Sequence, residues 1–195
     1  MKRFLLLLFV SGLFALEISS IEVTYGQPFE DGNTQNDIGI FLLNCDTKAS
    51  LGLSFKMPIN ENSAIKYFVQ YATYTKDIWE MEYNDEYYHH NVNLSFYNTG
   101  IKYHKDFRLK GRLALHVAPF LGVMDTKTKS DVLIEALHDI KEKEEMRLFW
   151  GYDLGASIDM TEKLSLILNY STILTELKNK NLLYQDIALG LGFSF

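Results

Sequence analysis

Asp186-Ile187-Ala188-Leu189-Gly190-Leu191-Gly192-Phe193-Ser194-Phe195 decides the fold. Its pattern is strict period two. Ile187, Leu189, Leu191, Phe193 and Phe195 fall on one face, and Asp186, Ala188, Gly190, Gly192 and Ser194 on the other. Successive side chains of a β-strand point to opposite sides of the sheet, so this strand presents one large apolar face and one small or polar face. A strand ending on exposed aromatics is at home where apolar surface meets lipid, which is the place of the closing strand of a membrane barrel.

The same alternation recurs upstream. Ile21, Val23 and Tyr25 alternate with Glu22 and Thr24, and Leu51, Leu53, Phe55 and Met57 with Gly52, Ser54 and Lys56. Ile65, Tyr67, Val69 and Tyr71 oppose Lys66, Phe68, Gln70 and Ala72. Further strands are predicted over 91–103, 113–123, 150–158 and 164–171, which with 186–195 makes eight. The fourth shifts phase, from Val92, Leu94 and Phe96 to Thr99, Ile101 and Tyr103. Pro119 on the apolar face of the fifth predicts a bulge, because proline cannot donate to the ladder. Residues 37–48 admit either a bulged strand or an extra piece of hairpin.

The connections alternate between long and short. Segments 27–36, 76–90 and 125–147 are long; 58–62, 105–107 and 160–163 are short turns, and 176–182 is intermediate. Leu133, Ile134, Leu137 and Ile140 recur at helical spacing inside 125–147, so a short amphipathic helix is expected there. An even strand number, short turns at one end and longer loops at the other resemble the bacterial outer-membrane β-barrel family, whose last strand commonly ends in an aromatic residue. The resemblance implies an all-β, eight-stranded antiparallel up-and-down transmembrane β-barrel. It also implies residence in the outer membrane, contact with lipid and lipopolysaccharide, and insertion by the barrel-assembly machinery through Phe193 and Phe195.

Composition agrees. Aromatics make up 14% of the 195 residues, including 12 Tyr and 13 Phe, as interfacial girdles require. Lys2-Arg3 followed by the apolar run Phe4–Phe14 and Ala15 reads as a signal peptide over 1–15, with the barrel domain over 16–195. Cleavage there removes two of the 19 basic residues and none of the 25 acidic ones, making a chain of net charge −6 more acidic still. A nucleic-acid partner would demand a basic face, so none is expected. Cys45 is the single cysteine and permits no internal disulfide. After the leader no apolar run is long enough for a membrane helix, which leaves closed β-structure as the means of crossing.

The face opposite the apolar one carries Glu22, Lys56, Lys66, Gln70, Arg112, His116, Asp153, Asp159 and Asn169 among Gly, Ala and Ser. A soluble lipocalin-like calyx would reverse this, with charges outside. Eight strands leave an interior just wide enough to be filled by side chains. Charges there are expected to pair, with Lys66 or Arg112 bonded to Asp153 or Asp159. The same residues could instead line a narrow ion path.

No catalytic set emerges. Some outer-membrane barrels modify lipid A, and the deacylases among them carry a His-x-Ser pair. Here the comparable stretch is Asn169-Tyr170-Ser171, and an Asn cannot act as the base for a serine. No enzymatic activity, cofactor or metal is expected. His89-His90 with Glu80, Glu82, Asp85 and Glu86 matches no zinc spacing, although its carboxylates could bridge to lipopolysaccharide through Ca²⁺ or Mg²⁺. Trp79, Tyr83, Tyr87 and Tyr88 are expected to mark where the barrel leaves the headgroups. The Asp139–Glu145 charge run reads as solvated. Three roles remain: a structural or surface-interaction barrel, a narrow porin for small solutes or ions, and, least supported, a lipid-modifying enzyme.

Overall fold

The computed structural model describes residues 18–29, 47–82, 86–109, 111–134, 137–177 and 180–195. Eight strands follow one another: β1 (Ser20–Phe29), β2 (Thr47–Asn60), β3 (Ser63–Glu82), β4 (Glu86–Arg108), β5 (Leu113–Ile134), β6 (Leu137–Asp159), β7 (Leu164–Leu177) and β8 (Lys180–Ser194). Each pairs antiparallel with its neighbours in sequence, and β1 pairs with β8, closing the sheet. The closing ladder runs from Ser20↔Ser194 to Phe29↔Gln185. Closure leaves the sheet no open edge in the part common to all eight strands, which hydrocarbon demands.

The register shows why the sequence alternates. Paired residues can be followed once around the barrel from Phe193 through Ile21, Phe55, Tyr67, Ile101, Leu121, Trp150 and Leu174 to Leu183. The path returns to β8 ten residues from its start (193 to 183), so the strands are strongly tilted. Every residue on it is apolar. Above it Tyr25, Tyr71 and Tyr97 are exposed, with the Tyr71 and Tyr97 rings 4.8 Å apart, forming part of an aromatic girdle.

Several sequence expectations need correction. The described residues of segments 76–90 and 125–147 are strand, not loop: β3, β4, β5 and β6 run 20, 23, 22 and 23 residues and pair as two long hairpins. Among the described residues the expected helix is absent and strand takes its place, with Ile134 opposite Leu137 and Leu133 opposite His138. The charge run falls in the same ladder, where Lys127 reaches Glu142 and Glu144 at 3.3 and 3.8 Å. Trp79 stands eight residues beyond Tyr71 on β3, roughly 27 Å along the strand at ~3.4 Å per residue. It therefore lies past the girdle, as do Tyr87 and Tyr88 in the paired stretch of β4.

Neither Pro119 nor the apparent phase shift in β4 breaks register. Lys102 pairs with Phe120 and Lys105 with Val117, so the alignment is the same on both sides of Pro119. Leu94 and Phe96 point inward on an unshifted strand that runs on to Arg108, so 105–107 is not a turn. The connection expected over 176–182 is also shorter, since β7 extends to Leu177 and β8 begins at Lys180. Residues 1–17 and 30–46, and with them the leader and most of 37–48, lie outside the described residues.

An outward arginine at mid-barrel height tests the lipid-facing assignment. Leu154→Arg should destabilise the barrel in phospholipid vesicles by about 2–4 kcal/mol, measured by urea unfolding. Glu142→Gln, on the hairpin beyond the apolar band, should stay within about 0.5 kcal/mol of the parent.

Candidate functional site: the barrel interior

The interior is divided into two layers. In the half towards the long hairpins the β3 to β7 side is filled by Phe68, Ala72, Tyr74, Leu94, Phe96, Phe120, Met124, Phe149 and Ile173, all buried. Phe68, Phe120 and Phe149 meet edge to face in all three combinations, at centroid distances of 5.7, 6.1 and 5.9 Å. Such rings fit a narrow barrel only where the wall is thin. A Cβ on Gly151 would lie 2.7 Å from Phe120 Cζ, so the ring rests directly on glycine backbone.

The half towards the short turns is ionic. Lys66 donates to both carboxylate oxygens of Glu22 at 2.6 and 2.8 Å, and both side chains are almost fully buried. Lys102 donates to Asp153 Oδ2 at 2.5 Å, with Asp153 only 3% exposed. Nearer the mouth, Lys56 donates to Asp106 Oδ2 at 2.9 Å, and Asp106 Oδ1 accepts from His104 Nε2 at 2.7 Å. Level with the aromatic residues, on the β8, β1 and β2 side of the interior, Asp186 accepts from Ser50 at 2.6 Å and from Gln70 at 2.8 Å, Ser50 being paired with Ala72. Gln70 in turn accepts from Asn98 at 3.3 Å.

Lys102 joins the two layers. Its ammonium lies 4.4 Å from the centre of the Phe68 ring and 5.0 Å from that of Phe120, while its hydrogen bond goes to Asp153. The cation is thus held by the aromatic layer and neutralised by the ionic one.

The residues singled out in the sequence separate by depth. Glu22, Lys66, Gln70, His116, Asp153 and Asn169 lie inside, buried or half-buried. Lys56 is near the mouth with its side chain a quarter exposed. Arg112 and Asp159 are exposed at the short-turn rim, where Arg112 donates to the Met160 carbonyl at 3.0 Å. The expected cross-pairing is therefore corrected: Lys66 takes Glu22, and Asp153 takes Lys102. Lys102, His104, Asp106, Ser50 and Asp186 were missed as interior partners. The signal for the first three was the alternation of Thr99, Ile101, Tyr103 and Phe107, broken only by Lys105, with Gly100, Lys102, His104 and Asp106.

Asn169 and Ser171 both point inward, away from lipid, and Asn169 Oδ1 accepts from His116 Nε2 at 2.6 Å. On the long hairpin, Glu145 is bonded to Lys143 and, at 2.6 Å, to Arg147. The hydrogen bond from Lys143, then that from Arg147, pushes its carboxyl down to about 2.

A closed eight-stranded barrel with an apolar circuit outside and ion pairs inside is the fold of bacterial outer-membrane β-barrels. No protein-family model and no curated protein matches the chain. Solved structures do. Ail, the attachment invasion locus protein of Yersinia pestis, is 15% identical, with 92% of this chain and 99% of that one covered and a TM-score of 0.52. Ail in complex with the heparin analogue sucrose octasulfate gives 17% identity, 91% and 97% coverage and a TM-score of 0.54. Neisserial surface protein A gives 15%, 90%, 95% and 0.48. At these identities the likeness is one of fold.

Removing one partner of a buried pair should be far worse than removing both. Lys102→Met should destabilise the barrel by about 3–5 kcal/mol by stranding Asp153, and adding Asp153→Asn should restore most of the loss. Urea titrations of the two single variants and the double variant check this.

Proposed function

We propose that the protein is a non-conducting, non-enzymatic outer-membrane barrel whose role is structural or a surface contact made by its long hairpins. The observation that carries this reading is the aromatic layer: Phe68, Phe120 and Phe149 pack on one another across the interior at the level of Lys102. A path for ions would have to pass between these rings and the hydrogen-bonded Asp186, Ser50, Gln70 and Asn98 at the same level, and then through the ion pairs below. The narrow-porin alternative keeps the ionic layer in its favour but must displace these rings.

The hairpins supply the surface. About 9–11 tilted residues cross the bilayer, so roughly half of each of β3 to β6 stands beyond it. The contact face they offer is charged and ion-paired through Lys127, Glu142, Lys143, Glu144, Glu145 and Arg147. The fold shared with an attachment protein supports a surface role of the same general kind. Export by the 1–15 leader, assembly through Phe193 and Phe195, and lipopolysaccharide as neighbour belong to the same proposal.

In planar bilayers the purified protein should show no steady conductance, and the combined Phe68→Ala, Phe120→Ala and Phe149→Ala variant should open one. A parent conductance abolished by Asp153→Asn would favour the porin instead. On intact cells, in a Cys45→Ser background, an impermeant maleimide should label Lys129→Cys and leave Glu162→Cys unlabelled. The reverse labelling would overturn the orientation.

A further inference from the structure

At the short-turn end the barrel holds a cavity of about 390 Å³. It reaches the rim at Arg112, Thr161, Glu162 and Ser194, and its inner wall includes His104, Asp106 and His116. These three come from two adjacent strands, with Asp106 and His116 directly paired across β4 and β5. One ligand atom from each lies within 4.8 Å of the others. The two imidazole rings are 4.8 Å apart, tilted by 36°.

We propose that His104, Asp106 and His116 form a binding site for a first-row transition dication of the Zn²⁺ class. Two imidazoles and one carboxylate are a donor set that such ions favour over Mg²⁺ or Ca²⁺, which prefer all-oxygen ligands. With three protein ligands, a fourth position is left to solvent or an exogenous anion from the cavity.

The surroundings are built around the histidines rather than merely filled by them. Asn169 on β7 reaches over β6 to hydrogen-bond His116, fixing the ring in the way outer partners orient metal-binding histidines. It can do so only because residue 155 is glycine: a Cβ there would collide with His116 Nε2 and sit 2.6 Å from Asn169 Oδ1. His104 and His116 are almost fully buried, so their rings are held by the wall. Asp106 uses one oxygen for His104 and the other for Lys56. The first can turn to a metal while the second keeps the ammonium.

Two cations oppose the ion. Lys56 sits on Asp106 itself, and Lys66 lies nearby with its charge already taken by Glu22. The first is the more direct competitor, and this gives the test its discriminating arm. Neutralising Lys56 should tighten metal binding, an effect that general damage to the fold does not produce.

The experiment uses untagged full-length barrel in detergent, with Zn²⁺ alone as the probe and a chromophoric chelator as competitor. The parent should bind one equivalent. His104→Gln and His116→Gln should each weaken it by more than 10-fold while keeping the boiling-dependent gel shift of a folded barrel, and Lys56→Gln should tighten it. Failure of the parent to bind an equivalent overturns the proposal. So does binding that survives both histidine substitutions, or that disappears instead in His89→Ala/His90→Ala. Co²⁺ added to the parent gives a reading independent of any variant: visible d–d bands of a nitrogen- and oxygen-ligated site support the assignment, and a spectrum of the aqueous ion counts against it.

Discussion

Closing eight strongly tilted strands into a ring is the constraint on which the rest of this molecule depends. It removes the sheet edges that hydrocarbon cannot solvate and sets an interior of about one layer of side chains in radius. Outward positions then have to be apolar over the height of the bilayer, and the paired circuit from Phe193 to Leu183 meets that demand without exception. Inward positions must instead fill a fixed volume. Large rings are therefore admitted beside glycine, as with Phe120 on Gly151, and buried charges are paired, as in Lys66–Glu22 and Lys102–Asp153, or hydrogen-bonded, as Asp186 is to Ser50 and Gln70.

The two interior layers solve that filling problem differently, and Lys102 is where they meet. An ammonium beneath a purely apolar plug would be costly to desolvate. Here the Phe68 and Phe120 faces and the Asp153 carboxylate share the cation between them. Below this level, proximity to the mouth lets groups stay partly hydrated, as Lys56 is. That gradient, from dry aromatics to a cavity open at the short-turn rim, concentrates the chemically versatile side chains at one end. The histidines lie there and the phenylalanines above.

Much of this was legible in the sequence, because period-two alternation is a direct record of a wall between lipid and interior. Counting alone put Glu22, Lys66, Gln70 and Asp153 on one face, and all four side chains lie inside the barrel. What escaped had specific causes. Leu94 and Phe96 looked like a phase shift because the inner face was assumed to be polar throughout, whereas the aromatic cluster makes it apolar at these positions of β4. Leu133, Ile134, Leu137 and Ile140 fit helical spacing because a hairpin tip brings apolar residues together in sequence from both arms. Pairing partners escaped for a third reason. Which cation meets which carboxylate depends on strand tilt, which carries a side chain several residues along its neighbour and which no single strand encodes.

The overhanging hairpins raise the edge problem again, outside the membrane. Among the described residues the β6–β7 ladder begins at Phe149, so the stretch from Leu137 to Leu148 is laddered to β5 alone. A long, flat apolar edge would recruit other strands. This one reads His138-Asp139-Ile140-Lys141-Glu142-Lys143-Glu144-Glu145-Met146-Arg147, charged at most positions on both faces. Lys127 neutralises the outward carboxylates of Glu142 and Glu144, while Glu145 is clasped by Lys143 and Arg147 on its own strand. Strand addition along that edge would bring a second backbone among ion pairs already satisfied, with little apolar surface gained in return. The same residues leave the faces of the hairpin polar and ordered, so contact through side chains is the mode of binding that this architecture favours.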